Sequence, residues 1–105
     1  MSYKPETITI AGVEHKIQYC DMEDFGDYTA GERVIRIRHG LSDEDLFYTL
    51  MHECVHAVLH LSGQAYTIGD PEKEEGLVRS LEHLLFPVFE EEMKNYNDAP
   101  KAMRA

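Results

Sequence analysis

The sequence predicts an α+β fold in which a short antiparallel sheet, of about three strands, packs against two helices. Apolar and polar residues alternate in two stretches before residue 39, which is typical of half-buried strands. Apolar residues then recur at helical spacing from residue 43 to 61 and again from 71 to 96. A length of 105 residues suits one domain. We therefore assign residues 1–96 to a single compact domain and residues 97–105 to a flexible tail.

The strands are predicted from two segments of alternating character. Residues 7–20 alternate apolar and polar side chains around Gly12, which predicts a β-hairpin. Residues 21–30 are polar and predict a loop. Residues 32–38 alternate isoleucine with arginine, which predicts a third, half-buried strand.

The first helix has clear start and stop signals. Ser42 is a favoured N-cap, and Asp45 three residues later approximates a capping box. The apolar periodicity lasts to Leu61, and Gly63 follows near the expected end. Residues 64–69 are predicted to form a loop.

The second helix is predicted to run from Pro71 to about Tyr96. Asp70 is a suitable N-cap, and proline is well tolerated in a first turn. Pro87 lies inside this segment and removes a backbone donor, so it is expected to kink the helix or divide it in two.

Composition and charge exclude several classes of function. Twenty acidic against ten basic residues give a net charge of −10, which repels phosphate backbones and argues against nucleic-acid binding. No apolar stretch is long enough to span a membrane, and the N-terminus lacks a signal-peptide pattern, so a cytoplasmic location is expected. The two cysteines, Cys20 and Cys54, are expected to be reduced.

The strongest chemical signal is the sequence His-Glu-Cys-Val-His at residues 52–56. On a helix, His52 and His56 lie one turn apart on the same face and can bind one metal ion. Glu53 then lies near enough to deprotonate a metal-bound water. The alternative interpretation is a solvated or structural stripe of histidines on a surface helix.

A catalytic zinc ion usually takes three protein ligands, so the motif needs one more. His60 lies about 12 Å from His52 along the helix, too far to share the ion, and is expected to line the groove. Glu74 falls near the middle of the apolar face of the second helix, where an unpaired carboxylate is costly, and is the first choice. Glu75, at the edge of that face, is the alternative. The acidic run 72–75 is also explained by the helix dipole alone.

The segments MHECVHAVLHLSG and EKEEGLVRSLEHLL resemble the gluzincin peptidases, the thermolysin-like group, and are similar to small phage or mobile-element zinc peptidases. The resemblance implies a Zn²⁺ cofactor, a metal-bound water as nucleophile and Glu53 as general base. It also implies an edge strand before the active-site helix that aligns a protein or peptide substrate. Residues 33–38 are expected to be that strand, with Arg36 and Arg38 contacting the substrate.

The chain departs from the family pattern in two respects. Gluzincins usually supply a His or Tyr to stabilise the oxyanion, and Tyr48, Tyr66 and His60 are the candidates here. The chain is also small for a full cleft, so a homodimer or a partner protein is expected to complete it. The sequence thus predicts an endopeptidase of restricted specificity. The alternatives are a non-catalytic zinc-containing protein-binding module and a metal-free interaction domain.

Overall fold

A computed structural model describes residues 3–100 and confirms the α+β class. The strands are β1 Thr7–Ile10, β2 Val13–Cys20, β3 Gly26–Thr29 and β4 Val34–Arg38, with a 3-10 turn at Ala30–Glu32. The helices are α1 Asp43–Leu61, α2 Gln64–Ile68, α3 Pro71–Ser80 and α4 Phe86–Asp98, with a π-helical turn at Leu81–Leu85. No helix within residues 3–100 combines the length and the apolar character that crossing a bilayer requires.

The sheet has four strands in the order β1-β2-β4-β3 and is mixed, not the three-stranded antiparallel sheet that the sequence predicted. The β1–β2 hairpin is confirmed as antiparallel, whereas β2 and β4 pair in parallel. β3 lies in the segment 21–30, which the sequence predicts to be a loop, because its four residues, GDYT, show no apolar alternation. It pairs antiparallel with β4 and so occupies one edge of the sheet.

The prediction that residues 33–38 form the edge strand is therefore wrong. β4 is bonded on both sides, and its isoleucines are buried under α1 while Arg36 and Arg38 lie on the opposite face. Nε of Arg36 donates to Oδ1 of Asp27 at 2.8 Å, and Arg38 donates to the carbonyl of Glu23. The alternation that made β4 recognisable as a strand thus directs both arginines away from α1, and β3 is the edge strand beside that helix.

The core lies between the sheet and α1. Ile35 and Ile37 of β4 and Leu50 of α1 are fully buried, and the neighbouring α1 residues Leu46 and Ala57 pack with them. One side of α1 must therefore face the sheet. This fixes the rotation of the helix and leaves the histidine side facing a cleft.

The helix ends follow the predicted capping chemistry. Ser42 Oγ accepts from the amide of Asp45 at 3.1 Å, and Asp70 Oδ1 accepts from the amide of Glu72 at 2.9 Å. The predicted loop 64–69 contains the short helix α2. The predicted second helix changes to the π-helical turn Leu81–Leu85 just before Pro87, which has no backbone N–H to donate. The helix extends to Asp98, into the predicted tail; residues 101–105 lie outside the described chain.

Replacing Gly26 by Ala is expected to destabilise the fold by about 1–3 kcal/mol, because β3 lies close to both α1 and β4. An added Cβ would stand 2.8 Å from the carbonyl oxygen of Arg36 and 2.8 Å from Cγ2 of Thr49. Urea unfolding measures the effect. The matched control is Gly31→Ala, where a Cβ meets nothing within 4 Å. Equal stability of the two variants would show that β3 does not pack this closely.

Candidate metal centre

His52 and His56 lie side by side on α1, as their spacing predicts. Their ring centroids are 5.2 Å apart, and both side chains are mostly buried. Helix α3 packs against α1 and brings its first turns over the two rings. The pair therefore faces a second helix and not open solvent.

Glu75 joins the two histidines. Its Oε1 lies 2.9 Å from Nε2 of His52, and its Oε2 lies 2.9 Å from Nε2 of His56. One ligand atom from each of the three residues lies within 4.8 Å of the others. Ligands of a tetrahedral zinc ion, each about 2.0–2.2 Å from the metal, are roughly 3.3–3.5 Å apart. The three side chains thus lie close enough together that they could hold one small cation.

Each histidine has a second carboxylate on its other ring nitrogen. Nδ1 of His52 donates to Oε2 of Glu82 at 3.1 Å, and Nδ1 of His56 donates to Glu74. Metal-binding histidines commonly donate their remaining N–H to a carboxylate, which fixes the tautomer and the ring orientation. Glu74 and Glu82 therefore orient the rings so that both Nε2 atoms point towards Glu75.

This geometry favours Glu75 over Glu74 as the third ligand, whereas the sequence favoured Glu74. Both lie one turn before the fully buried Val78 on the inner side of α3, and the helical pattern favoured Glu74 only because it is nearer the middle of the apolar face. The crossing of α3 over α1 separates them. It brings Glu75 to the shared point between the rings and Glu74 to the outer nitrogen of His56, with Glu74 Oε1 3.4 Å from Nε2 of His60.

Glu53 is buried in the wall of the same cleft, with only 6% of its surface exposed. Burial raises the pKa of Glu53 to about 7; His52 opposes this rise, whereas the negative charges of Glu75, Asp27 and Glu82 add to it. A carboxyl with a pKa near 7 both accepts and releases a proton readily at neutral pH.

The pKa of Glu75 is shifted in the opposite direction. Burial alone would raise its pKa, but the attraction of His52 and His56, the hydrogen bond to His56 and the nearby Arg79 outweigh it and lower the pKa. Glu75 is therefore ionised at neutral pH, as a metal ligand must be.

The cleft that contains these groups has a volume of about 730 Å³ and is bounded by α1, α3 and the edge strand β3. Of the three residues considered as oxyanion donors, only His60 lines it. Tyr48 bonds Glu90 of α4 instead, and Tyr66 is 94% exposed outside the cleft. Arg36 and Arg38, the predicted substrate contacts, do not line it either.

Tyr28 is a cleft residue that the sequence did not single out, because β3 was assigned to a loop. Its ring lies 5.7 Å from that of His60, and its hydroxyl lies 3.3 Å from Nε2 of the fully buried His15. Nδ1 of His15 donates to the carbonyl of Val13, so Nε2 accepts the hydroxyl proton of Tyr28. The buried histidine thereby holds the tyrosine at the cleft wall.

Comparison with known proteins adds no relative: no family model, curated protein or solved structure matches this chain.

Replacing Glu53 by Gln is expected to stabilise the metal-free protein by about 3 kcal/mol above pH 7. The carboxyl titrates near 4.5 when unfolded and near 7 when folded, so the folded chain holds the extra proton between these values. Wild-type stability relative to the variant is therefore highest below pH 4.5, falls as the pH rises to about 7, and then levels off. Urea unfolding of both proteins from pH 4 to 8 with a chelator tests this. A difference that does not change with pH would contradict it.

Proposed function

We propose that this protein is a zinc-dependent peptidase whose metal is held by His52, His56 and Glu75. One observation carries the proposal, the convergence of two imidazole nitrogens and one ionised carboxylate at the floor of a cleft. The supporting carboxylates Glu74 and Glu82 strengthen it, because a chance stripe of histidines has no need of a partner on every outer nitrogen.

The donor set favours zinc among the divalent ions. Two neutral imidazoles and one carboxylate form a borderline set that suits Zn²⁺, whereas Mg²⁺ and Ca²⁺ prefer oxygen ligands throughout. Three protein ligands leave a fourth position for water or substrate, as in catalytic sites. Cys54 is an unsuitable ligand, since burial raises the pKa of its thiol to about 11 and keeps it protonated.

Zinc held there would polarise a peptide carbonyl and acidify a water molecule. Glu53, beside His52 on the cleft wall, takes a proton from the attacking water and gives it to the leaving amine. His60, two turns further along α1, also lines this cleft and is the donor available to stabilise negative charge on the carbonyl oxygen, because Tyr28 gives its hydroxyl proton to His15.

The edge strand β3 supplies a surface for an extended substrate. Within the described sheet β3 pairs only with β4, and Gly26, Asp27 and Tyr28 line the cleft. An extended peptide that pairs with this free edge would run along the cleft and past the two histidines. The six carboxylates around the cleft, against one Arg79, favour peptides with basic side chains.

Purified protein is expected to bind about one zinc ion per chain, which metal analysis and a competitive chelator titration measure. Glu75→Gln removes a ligand and should weaken zinc binding by roughly a thousandfold. Glu74→Gln only loosens the His56 ring and should weaken it by about 10- to 100-fold.

The matched control is Glu72→Gln, which changes an exposed carboxylate in the same turn of α3 and should leave zinc affinity unaltered. Wild-type protein that binds no zinc when it is offered would refute the metal centre. A larger loss in Glu74→Gln than in Glu75→Gln would restore the order expected from the sequence.

Glu53→Gln is expected to keep the zinc and to lower peptide cleavage by about 10²- to 10⁴-fold, because the variant has no proton acceptor at that position. Cleavage of a peptide library, read by mass spectrometry, gives the rate. Glu44→Gln, an exposed position on the same helix, serves as the control. Zinc binding without cleavage in the wild type would favour the non-catalytic binding module instead.

A further inference from the structure

A second concave surface lies between α1 and α4, and of the described residues none lines both it and the cleft. This α1–α4 groove has a volume of about 360 Å³, and its walls are almost wholly apolar. It is lined by Phe47, Tyr48, Met51, Phe86, Phe89, Glu90, Met93 and Lys94. The peptidase proposal uses none of these side chains.

The apolar walls are open to solvent. Phe89 is 59% exposed, Met93 is 61% exposed, and Phe47 on the opposite wall is 40% exposed. Phe86, Phe89 and Met93 follow one another at helical spacing, so they form a continuous stripe along α4. Apolar surface grouped in a groove, and not scattered singly, is typical of a site that another molecule covers.

The groove is held open by a specific contact between its walls. The hydroxyl of Tyr48 on α1 donates to Oε1 of Glu90 on α4. This exposed bond links the two walls of the groove, and the apolar side chains on either side of it stay uncovered. A preformed groove of this kind lowers the ordering cost of binding.

The charges around the groove are mainly negative. Glu90 lines the groove, and Glu44, one turn before Tyr48 on α1, is close enough to raise the pKa of Tyr48 further, after the larger effect of the Glu90 hydrogen bond. Lys94 is the basic residue among the lining groups. A second copy of this chain, itself carrying a charge of −10, would bring like charges together at this rim.

We infer that the α1–α4 groove binds a basic amphipathic helix of a partner protein. The apolar face of that helix would lie against Phe47, Phe89 and Met93, and its lysines or arginines would meet the acidic rim. The lining residues of α4 run from Phe86 to Lys94, about 12 Å of helix, so the groove accommodates roughly two turns of the partner. The inference does not depend on the metal centre.

A fluorescently labelled peptide with leucines at helical spacing and lysines elsewhere, about 14 residues long, is the probe. Fluorescence anisotropy measures its affinity for the full chain. Met93→Lys places a like charge in the groove and should weaken binding by about tenfold or more. Val88→Lys makes the same change of charge on the other side of α4, at a residue 51% exposed, and should alter the affinity less than about twofold.

Three results would overturn the inference. Equal weakening in Met93→Lys and Val88→Lys would mean that the peptide responds to net charge and not to the groove. Equal binding of a matching peptide with glutamates in place of the lysines would exclude a basic partner. Concentration-dependent dimers in sedimentation, lost only in Met93→Lys, would make a second copy the occupant.

Discussion

The contact of Glu75 with both histidines is the interaction on which the arrangement of this protein depends. It is a charged connection between α1 and α3, two helices that share little apolar surface, since among the described residues of α3 only Val78 is fully buried. Without a cation, hydrogen bonds between the imidazoles and the carboxylates hold both rings close to the positions that ligands require. A bound cation would replace those contacts, so metal binding and the docking of α3 are energetically linked.

The need to form this polar site explains why polar groups are buried in so small a core. Glu53 lies between the sheet-facing and histidine-facing sides of α1, and burial raises its pKa at a cost in stability. His15, fully buried in β2, serves no packing purpose that an aliphatic residue would not serve better, yet it fixes Tyr28 at the cleft. Both groups sacrifice stability for a defined chemical surface, which is common at functional sites.

The sequence predicted what depends on local periodicity, and it failed where the answer depends on long-range pairing. The hairpin, α1 with its Ser42 cap, and the position of His52 and His56 follow from alternation and spacing. The edge position of β3 does not, because GDYT carries no strand signal and is ordered by β4. Nor does the choice between Glu74 and Glu75, which is set by the angle at which α3 crosses α1.

The π-helical turn Leu81–Leu85 connects the two surfaces of the molecule. It contains Glu82, which bonds His52, and it ends where Phe86 begins the apolar stripe of α4. A π turn adds backbone between helical repeats and so rotates the helix that follows it. Because of this rotation, α3 presents carboxylates to the histidine side of α1, while α4 presents aromatic side chains to the flank that carries Phe47. Helix α1 thereby has one polar face and one apolar face. A partner helix bound against α4 would act on the π-helical segment that positions Glu82.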